Sequence, residues 1–224
     1  MYKHTPKYLA GLLLLASSVT YAHSGLQADT RAAFDEAGVA YPPKSLTFIV
    51  FKKERQVQVY APEADGDQQY IRTYPVEDVA GHLGPKLRQG DMQVPEGIYA
   101  FTDIGPTGQF HRAMHIDYPN AYDKAHGSTG GGIVFHGHTV SLGCVAVSDA
   151  SVDDLYALAS AVGKNNVKII IAPEDFRKYF LYRWWDLTPE GTPVWVEDLY
   201  DNIEEALGDY PPPRTRSRLF RLTH

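Results

Sequence analysis

The chain has 224 residues, with 21 Lys and Arg against 27 Asp and Glu and a formal net charge of −6. That balance gives no electrostatic footing for nucleic acid, which is therefore not expected as a partner. The 44% hydrophobic content suits one domain with a sizeable core, and a single cysteine excludes an internal disulfide.

Residues 1–22 read as a secretory signal. Lys3 and Lys7 form its positive start, Leu9 to Ala16 its apolar stretch, and Thr20-Tyr21-Ala22 a small-residue cleavage site. The apolar run is short for a membrane span, so no stable membrane anchor is expected after cleavage, and no cysteine follows to carry a lipid. Cleavage removes two lysines and no acids, taking the net charge from −6 to −8. An exported, periplasmic protein is expected, and in an oxidising compartment an unpaired thiol is exposed to side reactions, which makes its presence informative.

Residues 23–44 form a lead-in, with helical spacing at Leu26, Ala33, Phe34 and Ala37 and a stop at Tyr41-Pro42-Pro43. Leu46 to Phe51 and Gln56 to Tyr60 predict a hairpin across Lys52-Lys53-Glu54-Arg55, its second strand alternating as a half-buried strand does. Tyr70 to Val76 continues the sheet. Residues 79–97, with four glycines and two prolines, predict a loop that ends at Pro95-Glu96-Gly97 and enters a strand at Ile98 to Asp103. Ala113 to Ile116 is a further strand. Tyr118 to Gly132 is an irregular stretch rich in Gly, His and Tyr, where a sheet scaffold places binding groups.

Further on, Ser148 or Ser151 caps a helix whose apolar face is Val152, Leu155, Leu158, Ala159 and Val162, with Gly163 as its stop. Val167 to Ala172 is a buried strand. Glu174 to Trp185 and Val194 to Leu207 predict two amphipathic helices whose aromatics, Trp184 and Trp185 included, serve packing. Residues 208–224, with Pro211-Pro212-Pro213, Arg214, Arg216, Arg218 and Arg221, predict a flexible basic tail.

The chemistry concentrates in His136-Gly137-His138-Thr139-Val140-Ser141-Leu142-Gly143-Cys144. A thiol attacks as thiolate, and a nearby imidazole is the usual base that takes its proton and later returns it. Gly132 to Phe135 and Cys144 to Val147 read as short strands joined by a tight reversal, which would set His136 beside Cys144. Gly143 gives the backbone freedom to aim its own amide and that of Cys144 at an oxyanion. His138 and Ser141 are candidates to orient the imidazole, and a backbone carbonyl would serve equally.

His-Gly followed by Ser-x-Gly-Cys resembles the active-site signature of the L,D-transpeptidase catalytic domain, the YkuD-type family of bacterial cell-wall enzymes. Lys86-Leu87-Arg88-Gln89-Gly90-Asp91 with Val94-Pro95-Glu96-Gly97-Ile98-Tyr99 resembles the family's Gly-Asp…Pro-x-Gly-x-Tyr segment. Tyr118-Pro119-Asn120-Ala121-Tyr122-Asp123-Lys124-Ala125-His126-Gly127 is similar to its YafK-like subgroup. Ala146 stands where most members have Arg or Asn; Leu142 in place of the usual second His, and the short His-to-Cys spacing, both point to that subgroup too.

The resemblance implies a YkuD-like β-sandwich, mainly β with α, over residues 45–207, with a helix after the catalytic strand and C-terminal helices outside. It also implies that Cys144 attacks the stem-peptide diaminopimelate carbonyl of peptidoglycan, with His136 as base, and that the resulting thioester passes to an amine. Transfer to water, releasing D-alanine or a wall-linked lipoprotein, is the alternative that the subgroup brings. The stem carries carboxylates, so Arg112 and Lys124 are candidate binding groups, and Tyr118, Tyr122 and His126 are candidate cleft residues. No cofactor is expected. A zinc hydrolase built from His126, His136 and His138 with His115 or Asp117, and a wall-binding module without catalysis, are weaker readings.

Overall fold

The structure is a computed structural model that describes residues 26–105, 111–178 and 191–213. The expected signal segment, Trp184 and Trp185, and the arginines of the tail lie outside the described residues.

Among the described residues, eight strands carry the domain: β1 (Leu46–Phe51), β2 (Gln56–Pro62), β3 (Gln68–Asp78), β4 (Gly97–Gly105), β5 (Ala113–Ile116), β6 (Val134–His136), β7 (Val145–Val147) and β8 (Val167–Ala172). The order around the sheet is β1-β2-β3-β7-β6-β5-β4-β8, closed by parallel pairing of β8 with β1. The two long strands make the closure. β3 pairs with β2 over Gln68 to Pro75 and then with β7 at Val76 and Asp78, while β4 pairs with β8 over Gly97 to Ala100 and then with β5 from Phe101 to Gly105. The register shifts between β3 and β7 and between β4 and β5 fall where the partner changes, as bulges do at corners. The fold is thus mainly β with α, as the sequence predicts, and the two sheets of the expected sandwich are joined at both corners into a closed barrel with no free edge.

Among the described residues, four helices accompany it: α1 (Ala28–Ala37), α2 (Ala121–Ala125), α3 (Asp149–Val162) and α4 (Trp195–Leu207). Ser148 caps α3 by accepting the Ser151 N–H at 3.2 Å. Its apolar face, Val152, Leu155, Leu158 and Ala159, joins the barrel core around Phe48, Phe101 and Phe135. α1 ends at Gly38 in the left-handed conformation, four residues before the first of the prolines that the sequence offers as its stop. It is tied to α3 through Asp154, whose carboxylate accepts from Thr30 Oγ1, from Tyr74 Oη at 2.5 Å and from the Gln27 N–H at 2.9 Å.

α4 corrects one sequence expectation. β2 is buried along its inner five residues instead of half-buried, because a second core forms on the outside of the barrel. There Ile49, Phe51, Tyr60 and Ile170 pack against Val196, Leu199, Tyr200, Ile203 and Leu207, each contributing about 1.5–3 kcal/mol by burial. Residues 208–213 continue this packing. Tyr210 is buried with its hydroxyl 3.0 Å from Thr47 Oγ1, and the Pro211 carbonyl accepts from Tyr60 Oη at 2.8 Å. The start of the segment read as a tail is therefore part of the fold. Of the helix expected over Glu174 to Trp185, the described part holds a 3₁₀ turn at Phe176–Lys178.

Candidate active site

β6 and β7 are three residues each and pair in parallel, Phe135 beside Val145 and His136 beside Ala146. The sequence predicts a reversal here; instead residues 137–144 loop back and start β7 alongside the start of β6. A parallel link normally takes a dozen or more residues. This one turns more tightly through left-handed backbone at His138 (φ 79°) and Gly143 (φ 117°).

Register then fixes which way the chemistry faces. Phe135, Val145 and Val147 belong to the barrel core, so strand alternation puts Val134, His136 and Ala146 on the outside. Extending the ladder by one residue sets Cys144 opposite Val134, on the same face and diagonal to His136. The thiol and the imidazole are therefore neighbours on one outward face, offset along the strand.

The imidazole is buried, with Nδ1 against the carbonyl oxygen of Gly137. A carbonyl only accepts, so Nδ1 carries the proton and Nε2 is left as the basic nitrogen. Burial lowers the His136 pKa; the Gly137 carbonyl opposes that shift and His138 adds to it. A Cβ on Gly137 would come within 2.3 Å of Asp149 Oδ1, so a side chain there displaces the Asp149 carboxylate.

Cys144 is partly exposed, with Sγ 3.9 Å from the Gly132 carbonyl oxygen. Burial pushes its thiol pKa up, and the Val134 backbone N–H and the Lys86 ammonium pull it back. Both shifts favour the uncharged forms of the two groups.

Ser141 organises the loop between them. It accepts the Gly143 N–H at 3.1 Å and donates to the Cys144 carbonyl at 2.6 Å, while its own N–H goes to Asp78 Oδ2 at 2.9 Å. The Gly143 amide, a candidate oxyanion donor, is thereby engaged within the loop. His138 is exposed and donates its backbone N–H to Asp149 Oδ1 at 3.1 Å. The orienting group seen on the imidazole is the Gly137 carbonyl, ahead of both side-chain candidates.

The remaining candidates divide. Tyr118 is buried with its hydroxyl donating to the Lys86 carbonyl at 3.1 Å and the Thr129 carbonyl at 3.3 Å. Arg112 is paired with Asp153 and lies 4.2 Å over the Tyr156 ring. Lys124 is exposed on α2. Tyr122 and His126 turn toward α4, where the His126 ring stacks on Trp195 at 4.6 Å and lies 4.4 Å from Tyr122. Among the described residues, no three His, Cys, Asp or Glu side chains gather as a metal site, and no helix is long and apolar enough to cross a membrane.

Sequence reasoning gave residues 79–97 as a loop but did not set it against this face. Gln93 ties the loop to itself through His82 and Gly84, and its carbonyl oxygen sits 3.0 Å from where a Cβ on Gly143 would stand. Lys86 is buried and paired with Asp91. The one signal in sequence was that both lie in the segment carrying the family resemblance.

Comparison with known proteins places this closed barrel, which carries Cys144 and His136 on its outer face. The model of the L,D-transpeptidase catalytic domain (YkuD) matches residues 46–196, so the chain belongs to that family. YafK of Escherichia coli strains K12 and O157:H7, named for L,D-transpeptidase activity, is 34% identical over 129 residues, 55% of this chain and 52% of the relative. The chain thus spans about half the length of the curated relatives that it matches. Among solved structures, the helical cell shape determining protein Pgp2 of Campylobacter jejuni superposes with a TM-score of 0.52 at 23% identity, over 65% of this chain and 56% of that one. That likeness concerns the fold.

Proposed function

We propose that this protein is an exported, peptidoglycan-modifying cysteine enzyme that forms a Cys144 thioester with the stem-peptide diaminopimelate and passes it to an amine. The observation that carries the reading is the Gly137 carbonyl on His136 Nδ1, which leaves Nε2 as base on the face it shares with the thiol. In the first half-reaction Nε2 takes the Sγ proton and Sγ bonds to the carbonyl carbon. The oxyanion forms against backbone amides near Cys144, and its collapse breaks the C–N bond while Nε2 returns the proton to the departing amine. In the second, an acceptor amine attacks the thioester, gives its proton to Nε2, and Sγ leaves.

Partial exposure of Cys144 favours one second reading, in which water reaches the thioester and the product is a shortened stem or a released wall-linked lipoprotein. Mass spectrometry of muropeptide and lipoprotein-linked wall fragments, incubated with the protein and with Cys144→Ala, tests both. Dimeric stems that vanish in the variant support transfer to an amine; shortened stems or freed lipoprotein alone support hydrolysis. Turnover that persists in Cys144→Ala removes the thioester from either scheme.

A further inference from the structure

We propose that Asp149 is a positioning residue for His136, acting on the imidazole through the Gly137–His138 peptide unit. The inference rests on His136 as the base of the proposed reaction.

One peptide group carries both hydrogen bonds. Its carbonyl, from Gly137, accepts from His136 Nδ1, and its N–H, from His138, donates to Asp149 Oδ1 at 3.1 Å. The bond is trans, so the C=O and the N–H point to opposite sides of one rigid plane. The imidazole lies at one end of that plane and the carboxylate at the other. Hydrogen bonds in series polarise one another, and a bond to a carboxylate is about twice as strong as one to a neutral acceptor. Asp149 therefore does two things. It fixes the plane that orients the ring, and it makes the Gly137 oxygen a better acceptor for Nδ1–H, most of all when the ring takes up a proton.

The segment that starts with the thiol also delivers this carboxylate. Cys144 leads into β7, Ser148 caps α3, and Asp149 is the first residue of that helix. α3 is seated on the loop itself: a Cβ on Gly137 would run into Asp149 Oδ1 and stand 3.3 Å from Val152 Cγ1, and Val152 is part of the barrel core. Packing of α3 thus decides where the carboxylate sits. The side-chain cap of α3 is Ser148. An acid in a first turn also suits the helix dipole, but that requires no bond to the His138 N–H.

The other acids around the site are engaged elsewhere, Asp78 with the Ser141 N–H and Arg55, and Asp153 with Arg112 and His111. Lys86 of the covering loop is paired with Asp91. The titratable groups on the face of His136 are Cys144 at the start of β7, His138 in its own loop, and His115, which alternation with the core residue Met114 puts outward on β5 opposite Val134. Asp149 is the acid bonded to the peptide that holds the ring. Its charge favours the imidazolium, so neutralising it is expected to make His136 a weaker base.

The test is proton–nitrogen NMR of the His136 imidazole, titrated with pH in the wild-type chain, Asp149→Asn and Asp149→Ala, with steady-state kinetics on muropeptides alongside. An Asn carbonyl still accepts the His138 N–H but carries no charge. Asp149→Asn is expected to move the Nδ1–H proton resonance upfield and the imidazole midpoint down by about half a pH unit, with kcat lower by about threefold and KM retained. Asp149→Ala, which removes the acceptor as well, is expected to lose more kcat and to raise the share of the Nε2–H tautomer. A role confined to the stability of α3 would lower the unfolding temperature and leave the resonance and the midpoint where they were. That outcome in Asp149→Asn, or an upward midpoint, overturns the proposal. Asp149 is exposed, so both variants are expected to fold; should one fail, the other decides by the same two readings. Turnover surviving in Cys144→Ala would remove the thioester reading while leaving this titration of His136 intact, so the two failures are distinguishable.

Discussion

The Ser141 hydroxyl donates to the carbonyl oxygen of Cys144 at 2.6 Å and accepts the Gly143 N–H at 3.1 Å, so one buried side chain staples both ends of the turn that presents the thiol. Ser141→Ala leaves a donor and an acceptor unpaired in the loop, a loss of about 1–3 kcal/mol. Thermal unfolding is expected at a lower temperature, and steady-state kinetics are expected to show a fall mainly in kcat.

Gly143 combines a left-handed φ of 117° with the Gln93 carbonyl 3.0 Å from the Cβ position. Any side chain there has to push the loop that presents Cys144 off its neighbour. In Gly143→Ala, turnover is expected to fall by about 100-fold, the scale of a misplacement near 1 Å. The circular dichroism spectrum should remain that of the folded barrel, because the strain is confined to the loop.

The histidine sets the pH dependence. Burial lowers the His136 pKa below the ordinary imidazole value, so the base remains neutral into mildly acidic solution, and the acid limb of kcat/KM is expected below about pH 6.5. His138 contributes to that lowering, so His138→Ala is expected to shift the limb upward. The linkage has a definite sign. The unfolded chain binds the His136 proton more readily than the folded one, so this group's share of stability is complete above the unfolded pKa. It is lost as pH falls toward the folded one. Urea titrations across that range, with and without His136→Gln, report it.

A buried chain of contacts joins α4 to the loop over the site. Tyr200 Oη donates to Glu96 Oε2 at 2.6 Å, Glu96 Oε1 accepts from Lys52 at 2.8 Å and from the Gly84 N–H at 2.8 Å, and Lys52 holds two loop carbonyls. Tyr200→Phe is expected to cost about 1–3 kcal/mol in denaturant unfolding. Lys52→Met is expected to cost about 3–5 kcal/mol, because it strands the Glu96 charge in the interior.

By itself the sequence determined the local pieces. The strands Leu46–Phe51, Ala113–Ile116 and Val167–Ala172 and the Ser148 cap are where the residues place them, since apolar runs and capping side chains act over a few residues. It also singled out Cys144 and His136, because one thiol stands out in a chain without others. The tertiary structure alone decided the rest: the parallel pairing of β6 with β7, the closure of two sheets at β3 and β4, the second core beneath α4, the carbonyl that orients His136, and the buried Lys86. Each depends on which distant segment lies alongside. A strand's pattern says which residues share a face, but the partner across the hydrogen bonds, and which charges end up buried, are set by contacts between residues far apart in the chain.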